Sequence, residues 1–177
     1  MSASAVETER PNFAPEQVAD AAMQRFGVSG ELKALVSDRD QNIKISNCDA
    51  EYVFKIANRD ESPDFLDLQN KSLVHLAQTA PDLLLPRLLP TLEGWEMTVL
   101  KKGLDRHLVR VLSYISGGLY SAVPKTTELF ASLGSYMGRL SRGLQGFGHS
   151  AAHRTDFLWN LDNVLSCEAY ISDIASD

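Results

Sequence analysis

Between Glu31 and Ala57 the apolar residues recur at every second position, and this stretch limits the possible folds more than any other feature. Leu32, Ala34 and Val36 alternate with Lys33, Leu35 and Ser37, as residues on the two faces of a strand do. The polar stretch Ser37-Asp-Arg-Asp-Gln-Asn42 interrupts the pattern, Ile43-Lys-Ile-Ser46 resumes it, and Asn47-Cys-Asp-Ala50 interrupts it again. Glu51–Ala57 is a third run. Three short strands joined by polar turns predict an antiparallel meander.

Helical spacing surrounds this meander. Pro15 opens a helix that places Val18, Ala21, Ala22 and Phe26 on one stripe, and Gly27 and Gly30 stop it. Ser62 is a good N-cap and Pro63 suits the first helical position, so a helix is expected to about Thr79, with Leu66, Leu73, Leu76 and Ala77 inward. Pro81 ends it. A short strand near Arg87–Leu89 and two longer ones, Trp95–Lys101 and His107–Tyr114, should follow. Ser116-Gly117-Gly118 then forms a joint. Beyond it Thr126 or Thr127 caps a helix carrying Leu129, Leu133, Tyr136, Met137, Leu140 and Leu144, and a last amphipathic helix is expected over Thr155–Ile174. The expected class is α+β: an antiparallel sheet of about five strands with one crossing helix, followed by the first helices of a helical lobe. The expected divisions are a flexible leader (1–13), the sheet lobe (14–115), and a hinge with a partial helical lobe (116–177).

Apolar residues make up 44% of the chain and charged ones 23%, enough for a real core. The formal net charge of −6 argues against a general surface for nucleic acid or anionic membrane. No window approaches the roughly 20 apolar residues of a membrane span. Cys48 and Cys167 stand far apart, without Cys or His at ligand spacing, so no metal motif or disulfide framework is encoded. A soluble, cytoplasmic protein is expected.

The order helix, three strands, helix, two strands, glycine joint, helices is that of a protein-kinase-like N-lobe, and local sequences agree with it. Phe26-Gly-Val-Ser-Gly30, Ser37–Asn42 and Tyr52-Val-Phe-Lys-Ile-Ala-Asn58 resemble the aminoglycoside phosphotransferase superfamily, in particular its hydroxylysine kinase-like branch. Arg110-Val-Leu-Ser-Tyr-Ile-Ser-Gly117 is similar to that branch's fifth strand and hinge, and Leu133–Leu140 and Phe157–Leu161 to its first C-lobe helices. The likeness covers residues 15–165 and concerns the N-terminal part of such proteins. It implies an ATP-binding lobe, with Mg²⁺ bridging the phosphates in a complete protein. It further implies a catalytic loop beyond Asp177, so that residues 1–177 alone are inactive, and a module of a longer chain that in some members includes an aminotransferase.

The resemblance assigns roles to particular residues. Lys55 shares a strand face with Val53 and Ala57 and stands where kinases place the lysine that contacts the α- and β-phosphates. A lysine on a strand is ordinarily a solvated edge charge; the surrounding order of elements argues otherwise here. The helix glutamate that holds this lysine in kinases falls on Gln69, a neutral amide able to hydrogen-bond but not to form an ion pair. The lesser reading of Gln69 is an ordinary surface residue, and Asp64 and Asp67, about one turn earlier, are weaker candidates for the lysine's partner. Ser37, Arg39, Gln41 and Asn42 could donate to phosphate oxygens from the first turn, while Asp38 and Asp40 would repel them; the turn has no G-x-G-x-x-G and is equally readable as a plain polar hairpin. At the hinge, the Ser113 carbonyl and Ile115 amide would face an adenine edge, with Leu32, Val36, Val53 and Leu112 as its apolar sleeve.

His153-Arg-Thr-Asp156-Phe-Leu-Trp-Asn160 has the wrong spacing for H-R-D-x-x-x-x-N and lies in a helical pattern, so no catalytic residue and no metal ligand is assigned. Expected partners are a nucleotide and the remaining C-terminal lobe or further domains, with a homodimer through exposed helix surface as a possibility. The competing expectation is a non-catalytic, kinase-like interaction or regulatory domain.

Overall fold

A computed structural model describes residues 10–153 together with 164, 165 and 168. Two compact units are present, Met1–Phe147 and Gly148–Asp177. In the first, α1 (Pro15–Phe26) precedes three strands, β1 (Glu31–Leu35), β2 (Gln41–Ser46) and β3 (Glu51–Ile56). Helix α2 (Pro63–Thr79), strands β4 (Leu88–Leu89), β5 (Thr98–Lys102) and β6 (Asp105–Ser113), and helix α3 (Thr127–Gly143) follow. In the second unit a single 3₁₀ turn, Ser150–Ala152, is described, with the His149 imidazole accepting from the Ala151 amide. The expected helix over Thr155–Ile174 lies outside the described residues.

All strand pairs are antiparallel, in the order β1-β2-β3-β6-β4, with β5 also pairing with β6. Strand β6 therefore has two partners along one edge: Asp105–Val109 pairs with β5, and Val111 and Leu112 pair with β4. The six strands occupy five lanes, and the expected fold class, a kinase-like N-lobe with early helices of a second lobe, holds.

The two faces of the sheet differ because side chains alternate along each strand. One face supplies Ile43, Ile45, Phe54, Ile56, Val109 and Val111 to a core completed by Phe13, Val18, Ala22 and Phe26. Phe26 meets Phe54 edge to face at 5.9 Å between ring centroids. Each buried Ile, Val or Phe side chain of this set contributes roughly 1.5–3 kcal/mol. Gly27, at φ 67°, closes α1 by donating to the carbonyls of Ala22 and Met23. Gly30 lets β1 meet β2, for a Cβ there would lie 2.2 Å from the Ser46 carbonyl oxygen.

Helix α2 lies on the opposite face. Ser62 caps it by accepting from the Phe65 amide, as its sequence predicts. Its C-terminal end forms a second core, in which Leu76, Ala80 and Leu83 pack with Tyr136, Leu140 and Leu144. Gly143 permits the close approach of α3; a Cβ there would stand 2.9 Å from Leu76 Cδ2 and 3.0 Å from Ala80 Cβ. No helix among the described residues is long and apolar enough to cross a membrane.

Candidate functional site

On the face under α2, the register sets Asn42, Lys55 and Arg110 side by side across β2, β3 and β6. Lys55 is half-buried, and its Nζ donates to Asn42 Oδ1 at 3.0 Å. Arg110 is buried, 5% exposed, and its guanidinium donates to Asn70 Oδ1 at 2.8 Å and to Gln69 Oε1. Gln69, placed by the sequence opposite Lys55, is thus bound to Arg110. The physical reason is the helix surface: adjacent residues 69 and 70 present two acceptors that the planar guanidinium fork on β6 takes together, while Lys55 on β3 bonds to Asn42.

Two cations therefore stand together with neutral amides as their hydrogen-bond partners. The ion pairs among the described residues join Lys44 to Glu51, Arg59 to Asp60 and Asp105, Lys71 to Glu96, and Arg139 to Asp82; neither Lys55 nor Arg110 takes part. Burial pushes the Lys55 ammonium below its ordinary range; Asp40 opposes the shift and the like charge of Arg110 adds to it. Burial likewise lowers the Arg110 guanidinium, with Asp40 and Glu61 opposing.

The turn before β2 is shorter than its polar composition implies. Gln41 and Asn42 belong to β2, opposite Ile56 and Lys55. Gln41 is not directed to a ligand: it accepts from the Phe13 amide at 2.7 Å and donates to the Phe13 carbonyl at 2.9 Å. The remaining turn is tied down by Asn58, whose amide donates to Asp40 at 3.1 Å and whose side chain donates to the Arg39 carbonyl at 3.4 Å. Arg10 donates to the Ser37 carbonyl at 3.2 Å. Arg39 is exposed and Ser37 half-buried, and the bonds described at both are made by their backbone carbonyls.

Val53 and Leu112 are register partners on the Lys55 face, both half-buried. Leu32 is not with them. Its register with Ile45 places it on the other face, packed against the α1 core, and Val36 lies past the end of β1, fully exposed. A one-residue difference in phase moves a side chain across the sheet.

The hinge after β6 is anchored by Glu51. Its carbonyl accepts from the Tyr114 amide at 2.8 Å and its carboxylate from the Ser116 hydroxyl at 2.9 Å. Lys44 sits 4.1 Å from the Tyr114 ring centroid and pairs with the same carboxylate. The Ser113 amide donates to the Arg87 carbonyl at 2.8 Å. Ser113 and Ile115 line a cavity of about 580 Å³ with the 81–85 segment and Arg87; Lys55 is not among its lining residues.

Arg110, Asn70 and Asn58 were not singled out by the sequence, although the first two left a trace. Arg110 is a lone charge inside Leu108-Val-Arg-Val-Leu112, and such a residue in an apolar strand needs a buried partner. Asn70 falls on the inward stripe of α2 between Leu66 and Leu73, and is fully buried.

A five-lane antiparallel sheet crossed by one helix, with a half-buried lysine on its third strand, defines a protein-kinase-like N-lobe. No family model matches the chain. Hydroxylysine kinase of Mus musculus is 26% identical over 185 residues, covering 94% of this chain and 48% of that protein. Among solved structures, an amicoumacin kinase in complex with AMP-PNP, Ca²⁺ and Ami is similar with a TM-score of 0.69 and 16% identity, covering 90% of this chain and 48% of that one. A spectinomycin phosphotransferase in complex with ADP and spectinomycin is similar with a TM-score of 0.61 and 12% identity, covering 94% and 49%. The chain resembles the N-terminal part of the aminoglycoside phosphotransferase and hydroxylysine kinase-like superfamily, and spans about half the length of these relatives.

Proposed function

We propose that this chain is the nucleotide-binding part of a small-molecule kinase that phosphorylates a hydroxyl group. The observation that carries this reading is Lys55: a half-buried ammonium, bonded to the neutral Asn42, with Arg110 beside it and no ion-pair partner among the described residues. These two cations are opposed only through space, by Asp40 and Glu61, and a phosphate chain supplies the further negative charge. The residues fit ATP at its phosphates through Lys55 and its neighbour Asn42, with Ser37 and Arg39 donating from the turn before β2. The Ser113 carbonyl and Ile115 amide serve the base edge, and Val53 and Leu112 its apolar face. The described residues contain no group of three or more His, Cys, Asp or Glu side chains able to hold a metal ion. Mg²⁺ therefore enters this reading with the phosphates and with carboxylates of a further helical half, which also supplies the group that accepts the hydroxyl proton. The exposed stripe Phe130, Leu133 and Met137 on α3 is where that half packs. By itself the 1–177 polypeptide binds nucleotide without transferring phosphate.

A thermal shift with Mg·ATP tests this. A ligand at about 100 times its Kd that binds only the folded chain stabilises it by about 2.7 kcal/mol. The expected result is a shift with Mg·ATP that Lys55→Met removes. No shift at saturating nucleotide, or an equal shift in Lys55→Met, rejects the site.

A second reading, a non-catalytic kinase-like interaction domain, is favoured by one observation: Gln69 is bound to Arg110 and leaves Lys55 without a helix partner. It is the outcome if nucleotide has no effect on a chain that is otherwise well folded.

A further inference from the structure

Arg110 has a setting of its own beside Lys55. Three observations define it. Arg110 and Lys55 are direct register partners on one face. The guanidinium is buried and fastened to two neighbouring acceptors of α2, Asn70 Oδ1 and Gln69 Oε1. The Lys55 ammonium turns the other way, to Asn42 on β2.

We propose that Arg110 is the positioning residue for Lys55: it clamps α2 to the sheet through Gln69 and Asn70, and its charge holds the Lys55 ammonium away from α2, on the Asn42 side, where the phosphates of a nucleoside triphosphate complete it. The proposal rests on the reading of Lys55 as the phosphate contact. A lysine held by a carboxylate is half-neutralised before any ligand arrives; a lysine held by repulsion and by a neutral amide keeps its full charge for the ligand. The charged groups that act on Lys55 are Asp40, from the turn before β2, and Arg110, from β6. Glu61, ahead of α2, acts on Arg110. From α2 itself the residues facing Arg110 are the neutral Gln69 and Asn70.

The test separates charge from mere packing. Lysine side chains labelled with ¹³C at Cε are titrated by NMR in the full chain, with Lys55 assigned by its loss in Lys55→Arg. Arg110→Gln removes the repelling charge, Arg110→Lys keeps it without the fork, and Gln69→Glu adds a carboxylate at a half-exposed position. The Lys55 titration is expected to move up in Arg110→Gln and in Gln69→Glu and to stay low in Arg110→Lys. Binding of Mg·tripolyphosphate, measured by calorimetry, is expected to weaken about tenfold in Gln69→Glu, as an added like charge close to the phosphates requires. A Lys55 titration unmoved by Gln69→Glu overturns the proposal, even if both Arg110 variants fail to fold. Equal upward movement in Arg110→Lys and Arg110→Gln also overturns it, because Arg110 would then act through packing alone. If the titrations move as expected but tripolyphosphate and Mg·ATP fail to bind the unaltered chain, the nucleotide reading falls and the Arg110–Lys55 coupling stands.

Discussion

Gln41 holds Phe13 by both ends of its side-chain amide, accepting from the backbone N–H at 2.7 Å and donating to the backbone carbonyl at 2.9 Å. The segment before α1 is thereby sewn onto β2 as a substitute for a strand partner. This bond pair seats the Phe13 ring, 3% exposed, in the core, where it meets His107 edge to face at 5.4 Å. Gln41→Ala leaves two backbone groups unpaired and is expected to cost about 1–3 kcal/mol. Urea unfolding checks it, with a lowered midpoint at an unchanged slope.

Asn70 gives a prediction of opposite sign for two substitutions. Its Oδ1 accepts from Arg110, while its Nδ2 is buried with no partner among the described residues. Asn70→Leu leaves the buried guanidinium with the Gln69 acceptor alone and is expected to destabilise by about 1.5–3 kcal/mol, the range for hydrogen bonds to charged groups. Asn70→Asp removes the orphaned donor and gives Arg110 a counter-charge, so the unfolding midpoint should rise. A midpoint that falls equally in both variants would show that Arg110 does not depend on this acceptor.

The pH dependence of stability follows from Lys55. Its folded-state pKa lies below the ordinary 10.5, chiefly through burial. Between the lowered value and 10.5 the unfolded chain holds a proton that the folded chain has released, so this group makes stability rise with pH across that window. Phosphate binding runs the other way and weakens over the same window as the ammonium discharges. The unfolding free energy of the unaltered chain minus that of Lys55→Met, followed up to pH 10.5, should therefore increase. A flat difference would show Lys55 to be as solvated in the fold as in the unfolded chain.

Gly143 sets the spacing of α2 and α3. Gly143→Val places new atoms against Leu76 and Ala80, where a single added Cβ already stands at 2.9 and 3.0 Å. Overpacking of this kind costs about 1–3 kcal/mol. The Thr79 hydroxyl, which donates to the Gly143 carbonyl at 2.7 Å, should lose that bond as the helices part. Amide exchange in the last turn of α2 should speed up while β3 and β6 stay protected.

Much of the fold was legible in the sequence because periodicity and end signals are local. The alternation over Glu31–Ala57, the Ser62-Pro63 start and the Thr126 cap each needs only its neighbours; both helices begin where those signals put them and the three strands form, although β1 ends at Leu35 and β2 begins at Gln41. The site was legible only in part. Lys55 could be found from its strand, but its partner could not, since which polar group on α2 faces which cation depends on the pairing of β3 with β6, over fifty residues apart. Leu32 shows the same limit: its strand is evident, whereas its face depends on where β2 begins, and Gln41 and Asn42 read as turn residues by composition alone.

Strand β6 has a kinetic consequence. The β1–β3 meander joins neighbours in sequence and can form as soon as Ile56 has been synthesised. β3 gains its second partner, and β4 and β5 their only partner in the sheet, when Asp105–Ser113 arrives. During translation the nascent chain must then carry an open sheet edge and an undocked α2 while some fifty further residues emerge, an interval of roughly 3–10 s at ordinary elongation rates. During that interval β3 is an unpaired edge through which the nascent chain is exposed to aggregation.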